Sequence, residues 1–322
     1  MISINRQVEI ADQLLKPMSE NDLRDRLQAL DGQSYGAYKS LKGRYAFPNF
    51  TLVIDYVQGD PFAAPSQMRV MVPAAIAALP ADLYCSPSRQ IALEDYLVRQ
   101  FYRHSQTCSS RRGSGKSGLL AIAPPSQAIL RRTAASVTAK GVEVRFVVGL
   151  PAFGRRIAGQ QAAALLCNDL PAVVAAALCY AQLDANALQA HCICAENADW
   201  LWGQLRDRGL VAFVAEGARL PRRSGVDERP LPQGAVPFTA PPSLRVQFTL
   251  PDGQTLAGMG VPQGITLIVG GGYHGKSTLL RAIEAGIYNH LPGDGREYVV
   301  TDGAAVKVRA EDGRSVAGVN IA

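Results

Sequence analysis

One glycine-rich segment, Gly270-Gly-Gly-Tyr-His-Gly-Lys-Ser277, restricts the fold of this chain more than any other part of its sequence. It follows a short apolar and β-branched run at 265–269, and the residues after it, at 278–284, favour a helix. A strand, a loop of the form G-x-x-x-x-G-K-S/T and a helix, in that order, make a P-loop. The sequence therefore predicts an α/β fold in which the chain crosses from strand to helix at this segment.

The residue types of this loop suit a nucleoside triphosphate bound with magnesium. Glycines let successive backbone N–H groups point at phosphate oxygens, and the helix N-terminus adds partial positive charge. Lys276 is predicted to act on the β- and γ-phosphates as the catalytic residue, and Ser277 to ligate Mg²⁺. The predicted residues that bind the cofactor ATP are Gly270, Gly271, Gly272, Tyr273, His274, Gly275, Lys276, Ser277 and Thr278. Phe248, upstream, could stack on the base, although we favour a core position for it.

A second segment, Arg111-Arg-Gly-Ser-Gly-Lys-Ser-Gly118, partly matches the same pattern. Ser110 stands at its first glycine position, and residues 103–110 do not have the pattern of a strand. Without a strand behind it, the loop lacks the support that a phosphate cradle needs. We interpret it as a mobile basic loop that either contacts phosphate or is simply solvated.

Basic residues are concentrated in the front part of the chain. The net charge is +6, with 26 Lys and Arg against 20 Asp and Glu in residues 1–240, and seven of each in 241–322. Paired arginines suit phosphate groups, although solvated surface arginines have the same pattern. No aromatic residues are interleaved with these pairs, so the sequence predicts no stacking platform. The candidate nucleic-acid contacts are Arg111, Arg112, Lys116, Arg155, Arg156, Arg222 and Arg223.

The pattern along the chain divides it into two predicted domains. Residues 1–158 form an α/β domain, with helices expected at 7–30, 93–102 and 127–139 and strands at 50–57, 68–72, 119–123 and 142–150. Residues 159–322 begin with a helical segment at 160–210, for which Asp169 and Asp184 are candidate caps. A linker rich in Pro, Gly and Arg follows at 221–242, and then a strand at 244–250. Two further short strands are expected at 306–322.

Nothing in the sequence predicts export or a membrane partner. The N-terminus has no apolar signal-peptide core, and no apolar run approaches the roughly 18–20 residues that a membrane span requires. The longest apolar stretch, at 170–180, is interrupted by Pro171 and is interpreted as a buried helix. The six cysteines match no disulfide framework. We therefore expect a cytoplasmic protein with free thiols.

Residues 299–302, Val-Val-Thr-Asp, resemble the end of a Walker B strand, in which apolar residues precede an acid. Asp302 comes only 26 residues after Lys276, and a helix with its return loop fills most of that interval. A β-hairpin position is therefore favoured over a Walker B role.

Several segments resemble one family, the predicted ATPases of the ABC class. They include Gly258-Met-Gly-Val-Pro-Gln-Gly-Ile-Thr-Leu-Ile-Val-Gly-Gly-Gly-Tyr-His-Gly-Lys-Ser-Thr-Leu-Leu280 and Tyr288-Asn-His-Leu-Pro-Gly-Asp-Gly-Arg-Glu-Tyr-Val-Val-Thr-Asp302. The upstream segments 58–63, 112–118, 149–157 and 220–225 are similar to the family as well. The resemblance covers nearly the entire chain.

This resemblance implies an N-terminal α/β domain followed by the first part of an ABC-type nucleotide-binding domain. Members are mostly bacterial and cytoplasmic, and a kinetoplastid mitochondrial member is associated with RNA editing and binds RNA through basic surfaces. Two cores are expected to close on ATP as a homodimer. The signature motif, Walker B carboxylates and switch histidine follow the P-loop at a greater distance in this class, and no match to them occurs before Ala322. We therefore expect either a fragment of a longer protein or a natural truncation that binds ATP without efficient hydrolysis.

Three functions remain open on the sequence. The leading one is an ATPase whose dimer closure acts on a nucleic-acid or protein partner held by the basic N-terminal domain. The second is a nucleotide-regulated RNA- or DNA-binding module without enzymatic activity. The third is a P-loop kinase of small molecules, against which the scattered arginines after residue 281 argue, since such a kinase needs an arginine-rich lid.

Overall fold

The computed structural model describes residues 17–110, 112–308, 313 and 318. The α-helices are α1 Glu20–Ala29, α2 Ala74–Ala77, α3 Pro87–Cys108, α4 Gly159–Ala164, α5 Leu170–Leu178, α6 Ala185–Asp207 and α7 Lys276–Ala285. The strands are β1 Met18–Ser19, β2 Gly43–Ala46, β3 Thr51–Tyr56, β4 Ser66–Pro73, β5 Leu120–Ala121, β6 Ala128–Ile129, β7 Ala135–Thr138, β8 Gly141–Val148, β9 Ala152–Phe153, β10 Arg156–Ile157, β11 Leu210–Ala215, β12 Arg245–Thr249, β13 Thr255–Pro262, β14 Asn289–His290 and β15 Val299–Thr301. Short 3₁₀ turns cover Tyr35–Leu41, Ala81–Tyr84, Tyr180–Gln182 and Pro242–Leu244.

The chain forms two compact units, and each unit is built from two separate stretches of the sequence. The first unit contains the described residues up to Pro125 together with Arg131–Cys192, and the second contains Ser126–Leu130 and the described residues from Ile193 onward. The division thus falls within α6, later than the boundary predicted at 158/159. The reason is packing, because α4 contacts α1 and α5 contacts α3, so these helices complete the first core.

The first unit is built on a seven-stranded mixed sheet of order β1-β2-β3-β4-β8-β5, in which β7 also pairs with β8. Only the β1–β2 pair is parallel among the described strands of this sheet. The strands predicted at 50–57, 68–72 and 142–150 are confirmed as β3, β4 and β8. The helix predicted at 127–139 is wrong, because these residues form β6 and β7. Ala135 and Val137 are buried while Ser136 and Thr138 are exposed, the two-residue period of a strand.

Local signals explain where the helices of the first unit begin. Ser19 and Asp22 form a capping box at α1, and Leu23 and Leu27, four residues apart, are buried below it. The part of the predicted helix before residue 17 lies outside the described residues. At α3, Ser86 caps the N-terminus by accepting from the backbone N–H of Arg89. The predicted helices at these two places are therefore confirmed in the part that the structure describes.

A helical run in the first unit is longer and more apolar than predicted, because no apolar run of roughly 18–20 residues is expected from the sequence. Residues Gly159–Leu178, which comprise α4, a π-helical turn at Leu165–Asp169 and α5, could cross a membrane by length and composition alone. More than half of its most apolar 18-residue stretch is buried. The helical segment predicted at 160–210 is confirmed. Asp184 caps α6 through the N–H of Ala187 at 3.0 Å, whereas Asp169 makes no capping hydrogen bond.

The second unit contains a four-stranded antiparallel sheet of order β12-β13-β11-β15. On one face, Ala282 of α7 packs against a cluster that includes Val214 and Met259. On the other face, Leu201 and Leu205 of α6 pack against a cluster that includes Phe213 and Phe248. Phe248 is 1% exposed, so its predicted core position is confirmed. The residues of the linker at 221–242 form no α-helix or named strand, as expected, and only Pro242 belongs to a 3₁₀ turn. The segment Ser126–Leu130 joins this unit through β6, which pairs with β14.

Some strands expected in the second unit are absent from the described residues or pair differently. Residues 265–269 form no strand, and Ile265 and Val269 are exposed. A strand is stabilised by its neighbours, and no described strand pairs with this run. Residues 299–301 do form a strand, β15, but its partner is the distant β11, so the expected hairpin is wrong. Residues 306–308 form no strand, and most of the rest of the region predicted at 306–322 lies outside the described residues.

Candidate nucleotide site

The start of α7 leaves a set of backbone donors unpaired. Gly275 is the N-cap, with φ of +81°, and it offers no side chain to cap the helix. The N–H groups of Lys276, Ser277 and Thr278 have no acceptor among the described residues, whereas the N–H of Leu279 already donates to Gly275. Unpaired N–H groups at the first turn of a helix attract anions. This turn can therefore bind a phosphate.

The loop before α7 is folded back onto its own lysine. The Lys276 ammonium donates to the carbonyl oxygens of Gly270 and Gly271, and the N–H of Gly271 donates to His274 Nδ1 at 3.2 Å. The ammonium therefore sits inside the loop, beside the turn with unpaired donors. A triphosphate would exchange these two carbonyl contacts for charged ones, which are stronger. The residues present fit a phosphate group.

Ser277 lies on the exposed first turn of α7, where its hydroxyl can serve as a magnesium ligand. Asp302 does not resemble a Walker B carboxylate in its surroundings. Its Oδ1 accepts from the N–H of Ala304 at 2.9 Å, and it follows β15, which pairs antiparallel with β11. Asp302 therefore caps its own turn, in agreement with the preference against a Walker B role.

A cleft of about 700 Å³ runs along one face of α7. Its lining includes Thr278, Arg281 and Ala285 of α7, spaced at one helical face, and Tyr288 just after the helix. Leu279, Ala282 and Ile283, on another face, pack into the core instead. The same helix thus carries a core face, a cleft face and the predicted phosphate turn.

A buried ion pair supports one wall of this cleft, where Arg222 lines the cleft and Asp294 lies behind it. Arg222 pairs with the carboxylate of Asp294 and also donates to its backbone carbonyl at 2.8 Å. His290 Nδ1 lies 3.0 Å from Asp294 Oδ2. Burial favours the protonated acid, but the His290 hydrogen bond and the positive charges of His290 and Arg222 outweigh it and lower the pKa of Asp294. Asp294 is therefore held as a carboxylate in the interior.

Arg296, in the same wall, bonds to the residue just before the linker. Its Nε and Nη2 donate to the carbonyl of Leu220, and burial, reinforced by the charge of Arg222, lowers its pKa to about 10. The backbone of Arg219 also donates to Gly295 at 2.9 Å. Gly295 has a φ of +83°, and a Cβ there would meet Arg219 at 2.8 Å, so only glycine fits. The family-like segments 220–225 and 288–302 are thus joined in one wall.

The second glycine-rich segment is not a P-loop. Several of its N–H groups are already used, because Ser114 donates to Ala152, Lys116 to Pro61 and Gly118 to Gly149, all at 2.8–2.9 Å. These bonds interlock residues 112–118 with the family-like segments 58–63 and 149–157. The prediction that it lacks a phosphate cradle is confirmed, and the expected mobile loop is instead tied at three points.

The candidate nucleic-acid residues have different surroundings. Two have buried or half-buried carboxylate partners, Arg112 with Asp169 and Arg222 with Asp294. Arg155 pairs with Asp60 at 3.0 Å but is mostly exposed, and Arg156 donates to the carbonyl of Gly32 at 3.1 Å. The side chains of Lys116 and Arg223 are exposed, and Arg111 lies outside the described residues. Contact with nucleic acid stays a prediction for all of them.

Two sequence models of one family match the chain. The N-terminal domain of ATPases of the ABC class matches residues 20–181, and the P-loop domain of the same class matches residues 184–322. The chain belongs to the ABC class of ATPases. Uncharacterized protein MJ1628 of Methanocaldococcus jannaschii is 34% identical over 113 residues, which make up 33% of this chain and 25% of that protein. The chain therefore matches about a quarter of the length of that relative.

For an ABC-class ATPase, the first turn of α7 and its loop are the expected nucleotide-binding elements. Sequence reasoning found that loop because all its residues are contiguous. It missed the cleft, whose walls come from four separate parts of the chain. The only available signal was the segment His290-Leu-Pro-Gly-Asp-Gly-Arg296, in which charged residues alternate with turn residues and match no helix or strand period.

Proposed function

We propose that this chain binds Mg-ATP at residues 270–278, with Lys276 on the phosphates and Ser277 on the metal. The single observation that supports it is the turn at Lys276–Thr278, whose three N–H groups are unpaired next to the lysine ammonium. Magnesium would neutralise phosphate charge when bound. The backbone donors and Lys276 would position the phosphates.

The test is ATP affinity, measured by calorimetry with Mg²⁺. Lys276→Ala should weaken binding at least tenfold, since it removes the charge nearest the phosphates. Lys39→Ala is the matched control, because this exposed lysine in the first unit removes the same charge elsewhere. Unchanged affinity in Lys276→Ala would contradict the assignment.

We also infer that hydrolysis requires elements outside the described residues, supplied by further polypeptide and by a second copy of the protein. The exposed apolar run at 265–269 supports this, because such a run normally lies inside a sheet. A longer form of the protein that contains those elements should hydrolyse ATP, whereas the 322-residue chain should bind it without efficient turnover. Equal rates in both would contradict this inference.

For the partner, we propose single-stranded RNA on the first unit. The sequence predicted no stacking platform, but Phe62 and Phe153 are 66% and 60% exposed, and their loops are bonded to the loop of Lys116. Exposed rings beside basic groups suit single-stranded nucleic acid. This places aromatic and basic groups on neighbouring loops of the cytoplasmic ATPase that we propose.

Filter binding against increasing salt tests this proposal. Binding should weaken steeply with salt, and Phe62→Ala should weaken it several-fold further, while Ile76→Ala, an exposed apolar control, should not. A flat salt dependence would instead favour a protein partner.

A further inference from the structure

The cleft along α7 starts where the proposed phosphate site ends. Thr278, at the first turn, contributes an unpaired N–H to that site and also lines the cleft. From Thr278 to Ala285, near the end of the helix, the cleft follows α7 for about 10 Å at the usual rise per residue. A molecule whose phosphates bind at the first turn can therefore extend directly into the cleft.

The lining of the cleft suits a flat, polar ring system. Tyr288 lines it and is 51% exposed, and Arg281 is exposed and its side chain makes no hydrogen bond or ion pair with the described residues. Ile287 and Leu130 add apolar surface. A volume of about 700 Å³ with aromatic, apolar and a few polar groups is typical of sites for small organic ligands.

The polar wall retains unused hydrogen-bonding capacity. Arg296 lines the cleft, is 6% exposed, and uses only Nε and Nη2 among the described residues. Behind it, Asp294 is 2% exposed and its Oδ1 has no hydrogen-bond partner in the described part of the chain. Buried polar groups with unmet bonds are uncommon and are often found at ligand sites.

We propose that this cleft binds the base and ribose of the nucleotide whose phosphates bind at Lys276–Thr278. The proposal rests on the proposed function and extends it to the nucleoside. Tyr288 stacks on the base, and Arg281 and Arg296 donate to its polar edge or to the ribose. The buried Phe248 cannot take this role, because its ring packs against Trp200 and Phe213 in the core.

A comparison of ATP with inorganic tripolyphosphate separates the two sites. Affinities for both are measured by calorimetry with Mg²⁺ on the 322-residue chain. ATP should bind at least tenfold more tightly than tripolyphosphate, because only ATP has a base to stack. Tyr288→Ala should weaken ATP about tenfold and leave tripolyphosphate unchanged. Arg281→Ala, at an independent exposed position, should give the same selective loss.

The control for these variants is Tyr56→Ala, a tyrosine of the first unit that is 48% exposed. It should change neither affinity. Equal affinities for ATP and tripolyphosphate, or variants that weaken both ligands alike, would overturn the nucleoside site while leaving the phosphate site intact. Failure of the chain to bind either ligand would overturn the proposed function, and the nucleoside site with it.

Discussion

The ammonium of Lys276 donates to the carbonyl of Gly270, six residues earlier, and so closes the loop on itself. The contact places the charge beside the unpaired N–H groups of the first turn of α7. In the ABC-class ATPase the loop geometry thus depends on residues that let the backbone turn tightly. Gly275, with its positive φ, is the one at the helix cap.

Gly275→Ala should therefore weaken ATP binding more than it affects stability. Alanine in the left-handed region costs about 1–2 kcal/mol, which shifts the cap and the donors after it. Calorimetry with ATP checks the affinity, and urea unfolding checks the stability. Gly209→Ala is the matched control, since its φ of +64° gives similar backbone strain and its Cβ would meet nothing within 4 Å, but it lies outside the loop. Equal behaviour of the two variants would contradict this role of the cap.

Because of Asp294, the free energy of unfolding of the second unit should decrease as the pH becomes acidic. Its pKa is lowered in the folded state, so its stabilising contribution is complete above the unfolded pKa of about 3.9. That contribution is lost as the pH falls through the lower, folded-state value. Urea midpoints from pH 6 down to pH 2.5 should fall less steeply for Asp294→Asn than for the natural protein. Parallel curves would show that Asp294 does not cause the dependence.

Arg222→Ala leaves the buried Asp294 without one of its two charged partners, and such a loss typically costs about 3–5 kcal/mol. Unfolding in urea, followed by circular dichroism, measures it. Arg229→Ala is the control, because Arg229 pairs with Asp227 at the surface and should leave the midpoint nearly unchanged. Similar midpoints for the two variants would contradict a structural role for Arg222.

Gly149→Ala should destabilise the first unit by about 2 kcal/mol or more. A Cβ at this position would lie 1.8 Å from the carbonyl oxygen of Lys116, so the interlocked loops must separate. Thermal unfolding measures the effect. Gly59→Ala, where a Cβ meets nothing within 4 Å, should leave the melting temperature nearly unchanged. A small shift in Gly149→Ala would mean that the loops move apart easily.

The cysteines should differ strongly in their reaction with iodoacetamide. Burial raises the pKa of Cys194 to about 12 and that of Cys167 to about 11, so both stay protonated at pH 8. Cys85 is exposed and should be labelled first. Mass spectrometry after short labelling gives the order. Early labelling of Cys194 in the folded protein would contradict its buried position.

The P-loop could be predicted because its signal is local. The strand expected just before it does not form in the structure. Residues 265–269 have the composition of a strand, but a strand forms only with partners, which a local pattern does not reveal. The helix expected at 127–139 failed for a different reason. The alternation of Ala135 to Thr138 spans only four residues, too few to outweigh a helical pattern, although β7 pairs with the adjacent β8 as a hairpin.

In the candidate site, too, contiguous residues could be predicted and residues far apart in the sequence could not. The glycines and Lys276 are contiguous, so the sequence identified them together. Arg222 and Asp294 are 72 residues apart, and the sequence predicted Arg222 as a candidate nucleic-acid contact because its pairing partner is remote. Phe62 and Phe153 were overlooked as companions of Lys116 for the same reason, since backbone bonds between loops bring them near it.

Residues 126–130 belong to the second unit although they lie within the sequence of the first, and this affects how the protein can be truncated. The polypeptide passes between the units at three places, after Pro125, after Leu130 and after Cys192. A protein that starts at Ile193 would lack β6, and β14 would lose the strand with which it pairs. A single truncation therefore cannot yield the second unit whole, and one after Cys192 leaves the first unit carrying residues 126–130 without their partner strand. During synthesis, the ribosome makes a piece of the second unit before the first is complete.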